Sequence, residues 1–411
     1  MVHVAFDISA FNPTFKSHAQ RGIGRYVSHL HEYLCRAKIK GDPQSGGVAI
    51  TDFDHDTLIN RGLVAKAIDI LPFARTTIRQ QLLYPVKLAS RHLRGVDFVH
   101  FPAHMDGPTW SLKPFVLTVH DLIPLVLEKL YRANRPTWRY EFARWLENKS
   151  IKNAVALLAV SEATARDVER FLGVPRDLIF VTPNGVEESF FELFELRDTL
   201  SLDARSALRN RLGIPQQRPI LLYVGGHDER KNIPMIIEIA HEVIGESIVR
   251  RTTKPVLVLA GKIGSEREQG VLDAALRDLA MAADTINCGF VSDEDLRALY
   301  AEAAVFLFPS LYEGFGLPVL EAMAAGVPVV SSDRGALPEV IGREGLIIDP
   351  EDSIAGCRAV LKILGDPNLA RDLSLSGNRR AREFTWERTG RLTVEAYREI
   401  SLRLGVKGGG V

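Results

Sequence analysis

Short apolar runs alternate with longer amphipathic stretches from one end of this chain to the other. In the first half the runs fall at residues 2–8, 97–101, 114–120, 154–160 and 179–186. In the second half they fall at 219–224, 255–260, 286–291, 304–308, 328–332 and 345–349. Each is too short for an ordinary helix and reads as a buried strand. The stretches between them carry helix signals. Residues 27–37 are amphipathic, Ser161 stands directly before a run of helix formers, and Ser292-Asp-Glu-Asp295 is a capped start. Pro234 and Pro318 open two further helices, the second closed by Gly326. Residues 137–152 predict a helix with Trp138 and Trp145 in the core, whereas 40–56, rich in Gly, Asp and Ser, reads as a loop. Strands alternating with helices through both halves predict an α/β protein with two doubly wound parallel sheets.

The length of 411 residues agrees, being too great for one ordinary core. Residues 187–218 have few regular apolar periods until a short helix near 205–212, so a hinge is expected there. The expected domains are residues 1–195 and 196–383, with 384–411 a helix packing back on the first domain plus a disordered Gly-rich tail. Charges balance at 51 basic and 51 acidic residues, which argues against a dedicated nucleic-acid binder. Cys35, Cys288 and Cys357 are odd in number and far apart, which suits a reducing compartment rather than a disulfide or metal framework. Residues 1–7 run directly into a strand and lack the regions of a signal peptide, and no apolar run approaches ~20 residues. A cytoplasmic protein is expected. One stretch, residues 75–94, holds Arg75, Arg79, Lys87, Arg91 and Arg94 without an acid. It reads as a solvated helix face, or as a contact with an anionic acceptor or the inner face of a membrane.

The chemistry gathers around residues 308–321, Phe-Pro-Ser-Leu-Tyr-Glu-Gly-Phe-Gly-Leu-Pro-Val-Leu-Glu. A strand breaks into a glycine loop carrying Glu313, and a helix follows with Glu321 read in its first turn. Gly314 and Gly316 let a ligand approach the backbone, and the helix start offers free N–H groups to a phosphate. Helix capping alone would explain Glu321 but not Glu313. A second concentration follows strand 219–224. Gly225-Gly226 precedes Arg230-Lys231-Asn232 at the start of the helix from Pro234. Two cations there oppose the helix dipole, so an anion site explains them better than solvation. The Gly-x4-Gly-Lys spacing of a P-loop is absent. In the first half Gly22-Ile-Gly24 lacks the third glycine of a dinucleotide fingerprint and reads as a tight turn, with or without a ligand. His120-Asp121 closes strand 114–120 at the end where ligands bind, with His100 and His104 as weaker candidates nearby. Cations and a helix start suit a diphosphate, and carboxylates suit sugar and ribose hydroxyls, so the ligand reads as a nucleoside diphosphate sugar.

Over nearly its whole length the chain resembles the retaining glycosyltransferases of family 4, which have the GT-B fold. The most specific mark is the pair Glu313 and Glu321 within its Pro-Ser-Leu-Tyr-Glu-Gly-Phe-Gly-Leu-Pro context. Supporting marks are Gly22-Ile-Gly-Arg-Tyr26, His120-Asp121, Val160-Ser-Glu162, Asn184-Gly-Val186, Val224-Gly225 with Arg230-Lys-Asn232, and Phe384-Thr-Trp386. The resemblance implies two Rossmann-like domains facing a cleft, with domain closure on donor binding. It implies that Glu313 contacts the donor sugar and Glu321 the ribose. Arg230 and Lys231 would hold the diphosphate, helped by backbone amides at Phe315, Gly316 and Leu317. His120 would touch the sugar, Gly24 would lie under the phosphates, and the base would lie near Phe290 and Val291. Many relatives carry Arg where this chain has Gly226, so either Arg230 supplies that charge or the diphosphate is held by fewer contacts. No metal or other cofactor is expected. The glycine and Arg-Lys-Asn versions look most like bacterial mannosyltransferases of surface-polysaccharide and lipopolysaccharide assembly, which implies GDP-mannose and a glycan or lipid-linked acceptor. UDP-glucose or another hexosyl donor, a nucleotide-sugar epimerase or hydrolase, and a non-catalytic nucleotide-sugar sensor are the alternatives. The missing third glycine and the Glu pair speak against a nicotinamide oxidoreductase.

Overall fold

The computed structural model describes residues 1–11, 22–40, 47–54, 88, 93–134, 137–196 and 202–405. Nearly all of the basic stretch 75–94 and the Gly-rich tail lie outside these residues. The chain divides into two compact units, Met1–Gly185 with Trp386–Val411, and Val186–Thr385.

In the first unit six parallel strands, β1 (Val2–Asp7), β2 (Val48–Phe53), β3 (Phe98–Phe101), β4 (Phe115–Val119), β5 (Ala156–Ala159) and β6 (Ile179–Val181), lie in the order β2-β1-β3-β4-β5-β6. Successive residues along each strand enter different cores, as the two-residue period requires. Val4, Phe6, Phe98, Val116 and Leu158 face one cluster. Ala5, Val99, Phe101, Leu117 and Leu157 face the other. Helix α1 (Gly22–Lys40) covers the first face with Tyr26, Val27, Leu30 and Leu34. The edge strand β2 falls in the stretch read as a loop. Its Val48, Ile50 and Phe53 are buried, and it pairs with β1 along its whole length, so the polar residues around it hid a short edge strand. Gly22 and Gly24 also depart from expectation. They lie inside the first turn of α1 rather than in a loop before it.

Helix α2 (Trp138–Asn153) starts at Thr137, whose side chain accepts the Tyr140 N–H. It buries Glu147, Ser150 and Ile151 only. Trp138 and Trp145 are 73% and 53% exposed, so the expectation that they form core is wrong. At ~100° per residue both lie roughly opposite Glu147 on the helix, away from the packed face.

The second unit begins at Val186 rather than at 196, because helix α3 (Glu188–Leu196) buries Phe190 and Phe191 in it, Phe190 edge-on to Tyr300 at 5.6 Å. Its strands are β7 (Ile220–Val224), β8 (Val256–Ala260), β9 (Thr285–Gly289), β10 (Ala303–Phe308), β11 (Val329–Ser332) and β12 (Leu346–Ile348). They pair in parallel in the order β9-β8-β7-β10-β11-β12. Helices α4 (Ile233–Val249), α5 (Asp293–Glu302) and α6 (Leu317–Ala324) follow β7, β9 and β10. Ser292 caps α5 by accepting the Asp295 N–H at 3.1 Å. The strand order reverses between β7 and β10, and in open α/β sheets ligands bind outside the carboxyl ends of strands at such a point.

Helix α7 (Trp386–Arg403) belongs to the first unit. Its Gly390 rests on the Tyr33 ring, where an added methyl group would stand 2.2 Å from ring carbon. Its Tyr397 hydroxyl lies 2.6 Å from His100 Nδ1, and His100 Nε2 lies 2.8 Å from Thr118 Oγ1. No described helix is long and apolar enough to cross a membrane.

Candidate active site

Strand β7 leaves the second sheet at Val224 and turns through Gly225 and Gly226. The Gly225 N–H donates to Ala260 O at 2.9 Å, and the neighbouring loop passes so close that a Cβ on Gly261 would stand 1.7 Å from Gly225 O. The Tyr223 hydroxyl donates to Gly226 O at 2.6 Å and pins the turn from below. A short 3-10 turn, Glu229–Lys231, then delivers Arg230 and Lys231. Asn232, at φ 57°, ends this turn and caps α4; its amide donates to Pro309 O at 3.2 Å and Pro350 O at 2.8 Å. The Leu311 N–H donates to Arg230 O at 2.7 Å. These bonds tie the β7 loop to the β10 loop.

Glu313 stands on the β10 loop. Lys231 Nζ donates to its Oε1 at 2.6 Å, and Arg230 Nη1 lies 2.7 Å from its Oε2. All three are at one place, and Lys231 and Glu313 are 8% and 6% exposed. Lys231 also stands 4.8 Å above the Phe308 ring. Desolvation, then the neighbouring Arg230 charge, lowers the Lys231 pKa to about 8. Burial opposes ionisation of Glu313, but Arg230 and Lys231 together hold its carboxyl below the ordinary value. The site is therefore an ion cluster in which two cations share the Glu313 carboxylate, with Asp228 Oδ1 3.4 Å from Arg230 Nε at its edge.

The β11 loop supports Glu313 from behind. The Ala336 N–H donates to Glu313 O at 2.9 Å, and Ser332 Oγ donates to Ser310 O at 2.5 Å. Gly335, at φ 59°, passes so close that a Cβ there would stand 2.3 Å from Glu313 O.

Gly314, Phe315, Gly316 and Leu317 join Glu313 to α6. Gly316, at φ 103°, is the N-cap, and its carbonyl accepts the Val319 and Leu320 N–H groups at 3.0 and 3.1 Å. Phe315 is buried edge-on to Phe384 at 5.9 Å. Glu321 lies one turn further into α6 than expected, as its fifth residue. It is 5% exposed, and the Tyr300 hydroxyl of α5 donates to its Oε2 at 3.0 Å. Phe290 follows β9 and is 71% exposed, with Val291 beside it.

His120 belongs to the first unit, directly after β4. It is buried, with Nε2 2.8 Å from Pro102 O and its ring edge-on to Tyr26 of α1 at 4.9 Å. Burial and the nearby His120 hold the His100 pKa at about 3, so His100 is a neutral core residue. His104 pairs with buried Glu147 at 2.7 Å. Tyr300, Gly261 and Gly335 are site residues that the sequence does not mark as such, the two glycines reading only as a strand end and a helix start. Tyr300 sits at an apolar position of an amphipathic helix, where nothing but its partner distinguishes a hydroxyl with a task from core.

Two adjacent cations, a helix N-terminus and a shielded carboxylate at a switch point can hold an anion beside a hydroxyl-bearing group. Comparison with known proteins points the same way. Residues 204–380 match the Glycosyl transferases group 1 family, and residues 21–190 match Glycosyltransferase Family 4. The O-antigen chain mannosyltransferase B of Escherichia coli is 30% identical over 328 residues, 77% of this chain and 78% of that protein. The serotype-specific mannosyltransferase WbdA of Escherichia coli is 29% identical over 353 residues, 86% of this chain. The chain spans 41% of WbdA's length. Among solved structures, sucrose-phosphate synthase from Thermosynechococcus elongatus superposes with a TM-score of 0.70 at 22% identity, covering 98% of this chain and 100% of that one. The two sheets are thus the Rossmann-like pair of the GT-B fold.

Proposed function

Since the chain belongs to the family 4 glycosyltransferases, we propose that it is a hexosyltransferase that moves a sugar from a nucleoside diphosphate donor to a glycan or lipid-linked acceptor. The observation that carries this reading is the Arg230–Glu313–Lys231 cluster at the carboxyl ends of β7 and β10, four residues ahead of α6. Arg230, Lys231 and the amides at Gly316 and Leu317 are assigned to the diphosphate, with Gly225 and Gly226 leaving room for it. A diphosphate offers the two cations a competing anion, which frees Glu313 to accept hydrogen bonds from sugar hydroxyls. As the glycosidic bond breaks, charge grows on the departing diphosphate. Fixed cations and amides stabilise it, each good donor on the order of a thousandfold in rate. These groups supply the charge that a divalent metal would otherwise bring, so the reaction is proposed to be metal-independent. Glu321 is assigned to the ribose, Phe290 and Val291 to the base, and His120 to the sugar. The transfer is proposed to retain anomeric configuration.

Mannose is the sugar named for both Escherichia coli relatives, and GDP-mannose is accordingly the proposed donor. Calorimetric titration with GDP, UDP, ADP and NAD in the presence of chelator tests the reading. GDP alone binding supports it. UDP or ADP binding instead replaces the donor and keeps the mechanism, and NAD alone, or no binding, overturns it. Inversion seen by NMR of the product linkage overturns retention.

A further inference from the structure

We infer that Tyr300 is a positioning residue for nucleotide recognition: its hydroxyl fixes the Glu321 carboxylate in the orientation that engages the ribose diol. The inference rests on the assignment of Glu321 to the ribose.

Glu321 is a longer and more rotatable side chain than its task allows. It projects from the second turn of α6 and is 5% exposed. A buried carboxylate needs hydrogen-bond donors, and the donor it meets decides which way it faces. Tyr300 Oη donates to Glu321 Oε2 at 3.0 Å. The second acceptor near the hydroxyl is Pro318 O, at 3.3 Å. Both of these are acceptors, so the hydroxyl serves as a donor, and the carboxylate oxygen is the nearer of the two. The ring that carries the hydroxyl is packed on every side. The Tyr300 ring is 0% exposed, edge-on to Phe190 at 5.6 Å and tilted against Phe306 at 5.8 Å. It stands on α5, which leads directly into β10, the strand that carries the Glu313 loop. The base-side loop, the sugar-side loop and the carboxylate thus share one rigid post. An alternative in which Tyr300 only fills space needs a ring and no hydroxyl, and the two differ by one atom.

The test compares full-length wild type, Tyr300→Phe, Glu321→Gln and Phe190→Leu by calorimetry. Each is titrated with GDP and with UDP, and with the 2′,3′-dideoxy form of each. Wild type is expected to prefer the ribo form, and Glu321→Gln to lose that preference. Tyr300→Phe is expected to lose most of it, on the order of tenfold, by weakening ribo binding and leaving dideoxy binding unchanged. Phe190→Leu loosens the same ring without touching the hydroxyl and is expected to keep the preference. A Tyr300→Phe protein that keeps the wild-type ratio overturns the role of Tyr300 alone. Wild type binding both forms equally, or Glu321→Gln keeping the preference, overturns the ribose assignment and the inference with it.

Discussion

Glu313 is the residue on which the site turns, and its surroundings set opposite expectations for binding and for turnover. Its carboxylate neutralises Lys231 and Arg230 at 2.6 and 2.7 Å. Truncating it to Ala would strand buried cations, a loss of ~3–5 kcal/mol that blurs any reading of activity. Glu313→Gln keeps the shape and one acceptor. It is expected to bind GDP at least as tightly as wild type, because the charge that competes with the diphosphate for Lys231 and Arg230 is removed, and to lose turnover by on the order of a hundredfold or more. Calorimetry and a transfer assay on the same sample check both halves, and an active Glu313→Gln protein removes the carboxylate from the mechanism. Lys231 sets the pH dependence. Its pKa is lowered to about 8, so the cation is present below that value and lost as pH rises through it. Affinity for a nucleoside diphosphate, itself ionised throughout, is therefore expected to be flat near pH 7 and to fall by up to about tenfold per unit above pH 8. Lys231→Arg, which cannot lose its proton in this range, is expected to abolish the fall. A wild-type affinity that does not change between pH 7 and 9.5 would show that the Lys231 charge takes no part.

At the scale of elements the site depends on loops that press on one another. The β11 loop reaches the β10 loop only because Gly335 has no side chain: at φ 59° a Cβ would stand 2.3 Å from Glu313 O and 2.9 Å from Glu313 N. Both contacts are backbone and neither can rotate away. Gly335→Ala is expected to lower the melting temperature by several degrees and to displace Glu313, with turnover falling more than nucleotide affinity. Gly245→Ala, within α4, where the added carbon meets nothing within 4 Å, is expected to leave melting and turnover near wild type. Equal effects from the two would mean that the crowding at Gly335 is not what holds the loop. The same contrast explains what the sequence made legible. Buried parallel strands announce themselves as apolar runs, and Glu313, Glu321, Arg230 and Lys231 stand out because charges at loop ends need a reason. Gly335 and Tyr300 do not stand out, since their tasks lie in contacts with residues 22 and 21 positions away. The strand β2 and the outward-facing Trp138 and Trp145 were misread for a related cause. Polarity and bulk predict burial on average, but which face of an edge strand or helix is packed depends on what the rest of the chain lays against it.

Across the whole molecule the chain is laid out as two units, the first completed by a segment that returns to it. The first unit is incomplete until α7 returns to it, some 200 residues after Gly185. Tyr397 then meets His100, and Thr389 Oγ1 donates to Pro183 O at 2.6 Å. The second unit is continuous in sequence and closes on itself, with Val186 bridging Thr385 and its N–H donating to Phe384 O at 3.1 Å. It contains Arg230, Lys231, Glu313, Glu321, Tyr300 and the α6 N-terminus, whereas His120, Gly22 and Gly24 lie in the first unit. A fragment of residues 186–385 is therefore expected to fold alone, and to bind GDP within about tenfold of the full chain's affinity. Ending the chain at residue 385 is expected to unfold the first unit, because Tyr26, Phe98 and Leu30 lose the helix that buries them beside Val394 and Ile400. Calorimetric melting of the truncated protein should then retain one transition, the one that GDP stabilises. A fragment that folds and fails to bind would assign a substantial share of nucleotide affinity to the first unit, and Gly24 and His120 would be the residues to replace next.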